Sequence, residues 1–150
     1  MFTFKVCPCQ SGKNFQECCA PILSGVKLPA PGELMRSRYC ALVEKDYAYF
    51  LKTQRLVCAS SLEELAQSQR GIQWVGLQVL REVSVSSDHA VVEFIANYND
   101  KGRAGVLHEI SHFLLLEGRW IYVDFVANPP GGNQPCWCQS GKKYKRCCGS

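Results

Sequence analysis

The sequence has no apolar run approaching the roughly 20 residues that a membrane-spanning helix needs. Its aliphatic and aromatic runs are a few residues long, FLLL at Phe113–Leu116 among them. The opening MFTFKVC has neither a basic stretch nor an apolar stretch of secretory-signal length. Both absences lead us to expect a cytoplasmic protein. Cysteine is nearly missing outside two short segments: of the ten in the chain, only Cys40 and Cys58 lie elsewhere. Neither has a neighbour in sequence that would activate it, so both are read as small buried apolar residues.

The other eight cysteines form a repeat. CPCQSGKNFQECC runs from Cys7 to Cys19 and CWCQSGKKYKRCC from Cys136 to Cys148, with eight of thirteen positions identical and all four cysteines in register. In a reducing compartment such a framework reads as metal-binding rather than disulfide-bonded. Adjacent or once-spaced cysteines are also poorly placed to bridge within their own pair. Four thiolates from one compact loop suit tetrahedral zinc, with Zn–S distances of about 2.3 Å. The expected ligands are Cys7, Cys9, Cys18 and Cys19 at one site, and Cys136, Cys138, Cys147 and Cys148 at the other. Gly12 and Gly141 stand where a tight turn calls for positive φ, and Ser11 and Ser140 can fold a hydroxyl back onto the loop backbone. Lys13, Lys142 and Lys143 are available to offset the thiolate charge. With every position filled by sulfur, no vacancy remains for a reactive water, so both zinc ions are expected to be structural. Each module is too small for a core of its own, and metal binding worth on the order of 10 kcal/mol folds it. Removing metal is then expected to unfold the two ends and spare the middle.

The formal net charge of +4 invites a nucleic-acid reading. Eight bound thiolates remove eight charges and two Zn²⁺ return four, which cancels it. Bulk charge is therefore no argument for nucleic acid. A local excess remains at Lys142–Arg146, KKYKR, beside Tyr144 and Trp137. It can meet RNA, acidic lipid or an acidic protein, or serve only to balance the thiolates.

Pro- and Gly-rich connectors flank the middle of the chain. We divide the chain into an N-terminal knuckle at 1–20, a linker at 21–33, a core at 34–127, a linker at 128–135 and a C-terminal knuckle at 136–150. The core opens on a helix: in ELMRSRYCALVEKDYAYFLKTQ, Met35, Tyr39, Leu42, Val43, Asp46, Tyr47 and Phe50 follow three-four spacing, Asp46 alone being polar. A shorter helix is signalled by Ser61 with Glu64 and by the stop at Gly71. Four segments rich in β-branched and aromatic residues follow, divided by SSDH, NDKG and EG turns. Helices first and antiparallel strands after make an α+β domain.

These segments resemble a known family. The repeat is similar to the SEC-C motif, a zinc-binding segment named from the C-terminus of the translocation ATPase SecA. LMRSRYCALVEKDYAYFLKT, IQWVGLQV, VVEFIANY, LHEISHF and GRWIYVD extend the likeness over most of the chain, to the bacterial YchJ-like family. That resemblance implies an NTF2-like, cystatin-like core: helices packed on a curved antiparallel sheet, flanked by two SEC-C zinc knuckles. It implies no reaction, but likeness to the SecA tail implies a protein partner, such as a chaperone, a translocation factor or a ribosome-associated factor. Two positions depart from the family pattern. Ile110 stands where arginine is usual after His-Glu, and Phe125 where glycine follows the aspartate.

A concave NTF2-like face often forms a pocket. If NDKG closes an in-register hairpin, Glu93 lies opposite His108 and Val92 opposite Glu109; if EG closes the next, Ser111 faces Asp124 and His112 faces Val123. One face then carries Glu93, His108 and His112, the other Glu109, Ser111 and Asp124. Glu93 with His108 can act as an acid/base pair in a pocket, with Glu109, Ser111 and Trp74 as further candidates. The plainer reading, a cross-strand hydrogen-bonded pair, is preferred because nothing supplies a nucleophile or an oxyanion site. Arg36 and Arg38 can reach into such a cavity from the first helix, but solvated charges on the helix face are the preferred reading. The leading expectation is a non-enzymatic adaptor with two structural zinc ions. A small-molecule-binding domain or enzyme using Glu93 and His108, and RNA contact through the basic knuckle, are the alternatives.

Overall fold

The structure, a computed structural model, describes residues 5–56, 59–124, 131–136 and 140–147. Cys58, Trp137, Cys138, Cys148 and Phe125 lie outside the described residues. A 3₁₀ turn at Phe15–Glu17 and a short α1, Ala20–Leu23, follow the first cysteine segment. The principal helix, α2, is Pro31–Glu44; Pro31 supplies a preset φ at its first position, and the Glu33 carboxylate accepts from the Ala30 N–H at 3.1 Å.

The long helical stripe breaks in two. Lys45 turns left-handed at φ 60°, and the Asp46 side chain accepts from Tyr49 N at 3.1 Å to start α3, Tyr47–Lys52. The one polar residue in the apolar stripe is thus the cap of a new helix. A two-residue β1, Gln54–Arg55, precedes α4, Leu62–Ser68, where Ser61 Oγ accepts from Glu64 N at 3.1 Å.

Four long strands follow: β2 Ile72–Ser86, β3 His89–Asp100, β4 Arg103–Leu116 and β5 Arg119–Val123. The sheet order is β1-β5-β4-β3-β2, antiparallel except that β1 pairs parallel with β5. Register shifts between Trp74 and Gly76, Val79 and Arg81, and Ser84 and Ser86 add bulges to β2, each increasing local twist and curl.

The β3–β4 register differs from the expected one by a single turn position. The loop is Lys101–Gly102, with Asp100 paired to Arg103, because both loop residues take positive φ, 52° and 87°. A two-residue hairpin of the twist-matching kind demands that conformation, and glycine at the second position permits it. Glu93 therefore pairs with Ile110 and Phe94 with Glu109. The next hairpin has the expected register, His112 opposite Val123.

α2 covers the face that carries Val92, Phe94, Ala96 and Phe113. Leu34, Val92 and Phe113 are at most 1% exposed and pack with Trp120 and Tyr122, each large side chain contributing about 1.5–3 kcal/mol on burial. Farther along the same face, Tyr39, Leu77, Phe94 and Ala96 pack with Cys7, Cys9, Cys19 and Cys40. The N-terminal cysteines are thus part of the main core. The opposite face presents Val91, which packs with Cys136 and with Val85, Ile110, Tyr144 and Cys147. The two cysteine segments therefore lie on opposite faces of one sheet. Among the described residues, no helix is long and apolar enough to cross a membrane.

Candidate metal centre

The first cysteine segment folds as a loop held by its own backbone. Cys7 N donates to Lys13 O at 2.9 Å and Phe15 N to Lys5 O at 2.8 Å. Gly12 sits at φ +88°, and Ser11 Oγ accepts from Lys13 N at 3.2 Å. This turn brings the Sγ atoms of Cys7, Cys9, Cys18 and Cys19 within 4.8 Å of one another. Tetrahedral zinc with Zn–S near 2.3 Å sets ligand sulfurs about 3.8 Å apart. Cys9 and Cys18 stand at 3.6 Å and Cys18 and Cys19 at 3.9 Å, so the four donors fit such an ion. Hydrogen bonds from the Cys19 and Cys40 thiols pull Cys9 far below the ordinary thiol value, against the opposing effect of burial.

The second segment repeats the same bonds. Cys136 N donates to Lys142 O at 2.8 Å and Tyr144 N to Gln134 O at 2.9 Å; Ser140 Oγ accepts from Lys142 N at 3.2 Å, and Gly141 sits at φ +85°. Ser11 Oγ lies 3.2 Å from Cys18 Sγ, and Ser140 Oγ lies 3.4 Å from Cys147 Sγ. Matching positions thus make the same bonds in the described residues of both segments. Only the first site has all four candidate ligands among the described residues.

The candidates in the core divide between the two faces. Glu109, Ser111 and Trp74 line a cavity of about 330 Å³ between the helices and the sheet, together with Arg38, Phe94 and Tyr122. Glu93 and His108 lie on the opposite face, in a groove bounded by Ile110, Lys142, Arg146 and Cys147. They are diagonal rather than directly opposed, and they still meet: His108 Nε2 lies 2.7 Å from Glu93 Oε2, while Arg81 Nε donates to Glu93 Oε1 at 2.9 Å. Burial raises the Glu93 carboxyl, but the hydrogen bonds from His108 and Arg81 outweigh it and hold the group below its usual range. Each oxygen of Glu93 already has a partner. In the cavity, burial pushes Glu109 up, with Ser111 Oγ 3.4 Å from its Oε2.

The family described as "YchJ, middle NTF2-like domain" matches residues 30–125, and the SEC-C motif matches residues 5–21 and 133–150. The chain belongs to the YchJ-like family. The YchJ-like chain is also similar to the crystal structure of a SEC-C motif containing protein from Psychrobacter arcticus, at 30% identity over 95% of this chain and 94% of that one, with a TM-score of 0.68. The solution structure of a SEC-C motif containing protein from Rhodopseudomonas palustris is likewise 30% identical, over 79% of this chain and 94% of that one, with a TM-score of 0.73. The SEC-C match and the cysteine cluster are compatible with zinc binding.

Three residues of this YchJ-like chain have surroundings that sequence reasoning missed. Arg36 is not a solvated helix charge: its Nη1 donates to Cys9 O at 2.8 Å and lies 3.8 Å from Cys9 Sγ, placing a cation against the thiolates. Arg38 is buried, donating to Phe50 O, Thr53 Oγ1 and Gln54 Oε1 at 2.8–2.9 Å, with its guanidinium between the Phe50 and Tyr122 rings. Cys40 is buried as expected, but its Sγ lies 3.6 Å from Cys7 Sγ, beside the quartet. The signal available was spacing. Arg36 and Cys40 stand four apart on α2 and so share one helix face. Gln10 completes the seam, its Oε1 accepting from Leu77 N at 3.1 Å where Gly76 leaves room for it.

Proposed function

We propose that this protein is a non-enzymatic cytoplasmic adaptor whose NTF2-like core is held by two structural zinc ions, one in each SEC-C knuckle. The observation that carries the reading is the closed donor set of the first knuckle. Four sulfurs at tetrahedral spacing, three of them at most 2% exposed, leave no coordination position for substrate or water. The matching backbone bonds of the second knuckle support a second ion held by Cys136, Cys138, Cys147 and Cys148. Around the first knuckle, Val6, Val26 and Leu28 are 62–83% exposed, apolar side chains of a kind that a protein partner covers. Likeness to the SecA tail favours a chaperone, a translocation factor or a ribosome-associated factor as that partner. Affinity capture with intact and zinc-stripped protein tests the reading. Specific partners are expected with the intact form and are expected to be lost on stripping; an identical set from both forms counts against it.

The cavity favours a second reading, a small-molecule site. Its polar groups then include Glu109 and Ser111 rather than Glu93 and His108, since Glu109 and Ser111 line about 330 Å³ of largely apolar space. A ligand that raises the melting temperature of the wild type, but not of Ala96→Phe, supports it. RNA contact is less favoured, because Lys142 and Arg146 border the groove that holds the Glu93 carboxylate. A steep salt dependence of RNA binding would revive it.

A further inference from the structure

The first cysteine quartet has a fifth sulfur beside it. Cys40, on α2, is 0% exposed, and its Sγ lies 3.6 Å from Cys7 Sγ. That is the separation expected of two sulfurs on one tetrahedral ion. Cys40 also packs in the same buried cluster as Cys9 and Cys19. Within the quartet, Cys7, Cys9 and Cys19 are buried, whereas Cys18 is half-buried and meets the Ser11 hydroxyl. Cys40 therefore offers a fifth sulfur, from the helix, beside the four that the knuckle brings together.

We propose that Cys40 is a reserve ligand of the N-terminal site, able to replace Cys18 without release of the metal. The proposal rests on the reading that this quartet holds zinc. In the exchange the Zn–S bond to Cys18 breaks and a Zn–S bond to Cys40 forms. The proton of the Cys40 thiol passes to the departing Cys18 sulfur. The site keeps four thiolates and a net charge of −2, and no oxidant takes part. Cys7, Cys9 and Cys19 would remain ligands throughout, while the Arg36 guanidinium, which already touches Cys9, stays beside the anionic site. The product keeps its metal and presents Cys18 as a free, accessible thiol.

On this arrangement the N-terminal site tolerates loss of its half-buried ligand, Cys18.

Cadmium-113 NMR of the full chain tests this, because the shift reports how many sulfurs hold each ion. Cys18→Ser is expected to keep a four-sulfur resonance for the N-terminal site, as is Cys40→Ala. The double variant is expected to fall to the three-sulfur range or lose its resonance. A three-sulfur or missing N-terminal resonance in folded Cys18→Ser overturns the proposal. Should Cys18→Ser fail to fold, iodoacetamide treatment of the zinc-loaded protein decides. Wild type alkylated at Cys18 should keep its zinc while Cys40→Ala releases one ion; equal release from both overturns the proposal. If wild type gives no four-sulfur resonance for the N-terminal site, the zinc reading of the quartet itself fails.

Discussion

Arg38 carries a full charge in the interior without a carboxylate within 4.0 Å, among the described residues. Burial lowers its pKa to about 10, which still leaves it protonated at neutral pH. Three neutral acceptors and two aromatic faces stabilise it, and they tie α2 to α3 and β1. Arg38→Met strands those acceptors and is expected to cost roughly 2–4 kcal/mol, read from urea midpoints of the metal-loaded protein. On the other face, His89 Nε2 lies 2.9 Å from His112 Nδ1. Burial and the neighbouring His89 push His112 down to about 4. The folded chain thus keeps His112 neutral where the unfolded chain takes up a proton, near pH 6.5. Its contribution is complete above that pH and is lost as pH falls toward 4, at a slope of at most about 1.4 kcal/mol per pH unit. His112→Asn should flatten the decline measured between pH 6.5 and 5. An unchanged slope would remove His112 from the account.

Elements were legible where local chemistry fixed them. The two knuckles announce themselves by duplicated cysteines, and Gly12 and Gly141 stand at matching left-handed turns. The strands follow from their β-branched and aromatic content. Sequence also separated Glu93, His108 and His112 from Glu109, Ser111 and Asp124, because a register error of two residues in the pair sum preserves which side chains share a face. It did not reveal which face the helices cover. Both faces carry apolar side chains, Val92, Phe94 and Phe113 on one and Val91 and Ile110 on the other, since one meets α2 and the other meets the second knuckle. The break after Glu44 was concealed by a helical spacing that continues through Asp46. Lys45 holds φ 60° there, a conformation in which a side chain is strained and glycine is not. Lys45→Gly is expected to raise stability by about 0.5–1 kcal/mol, a later urea midpoint with unchanged slope being the evidence. A loss would mean that Lys45 contributes something beyond its backbone.

At the scale of the whole molecule, the cysteine segments lie on the two faces of the sheet rather than hanging from its ends. Cys7, Cys9 and Cys19 pack with Tyr39, Leu77, Phe94 and Ala96, so losing an ion there opens the core along α2. Chelation should therefore broaden the tertiary signals of Tyr39 and Phe94 as well as those of the knuckle. Sequence alone pointed instead to frayed ends around an intact middle. The difference arises because spacing within a loop reveals a metal site, but not what the loop rests upon. An NMR spectrum in which chelation perturbs only residues 5–21 and 133–150 would favour the simpler picture.

The most direct measurement of the central claim is native mass spectrometry of the full chain, purified with neither added metal nor chelator. The account predicts the mass of the chain with two zinc ions, one for each cysteine segment, and every sulfur still reduced. A metal-free chain, or one lighter by pairs of hydrogens lost to disulfides, would contradict it.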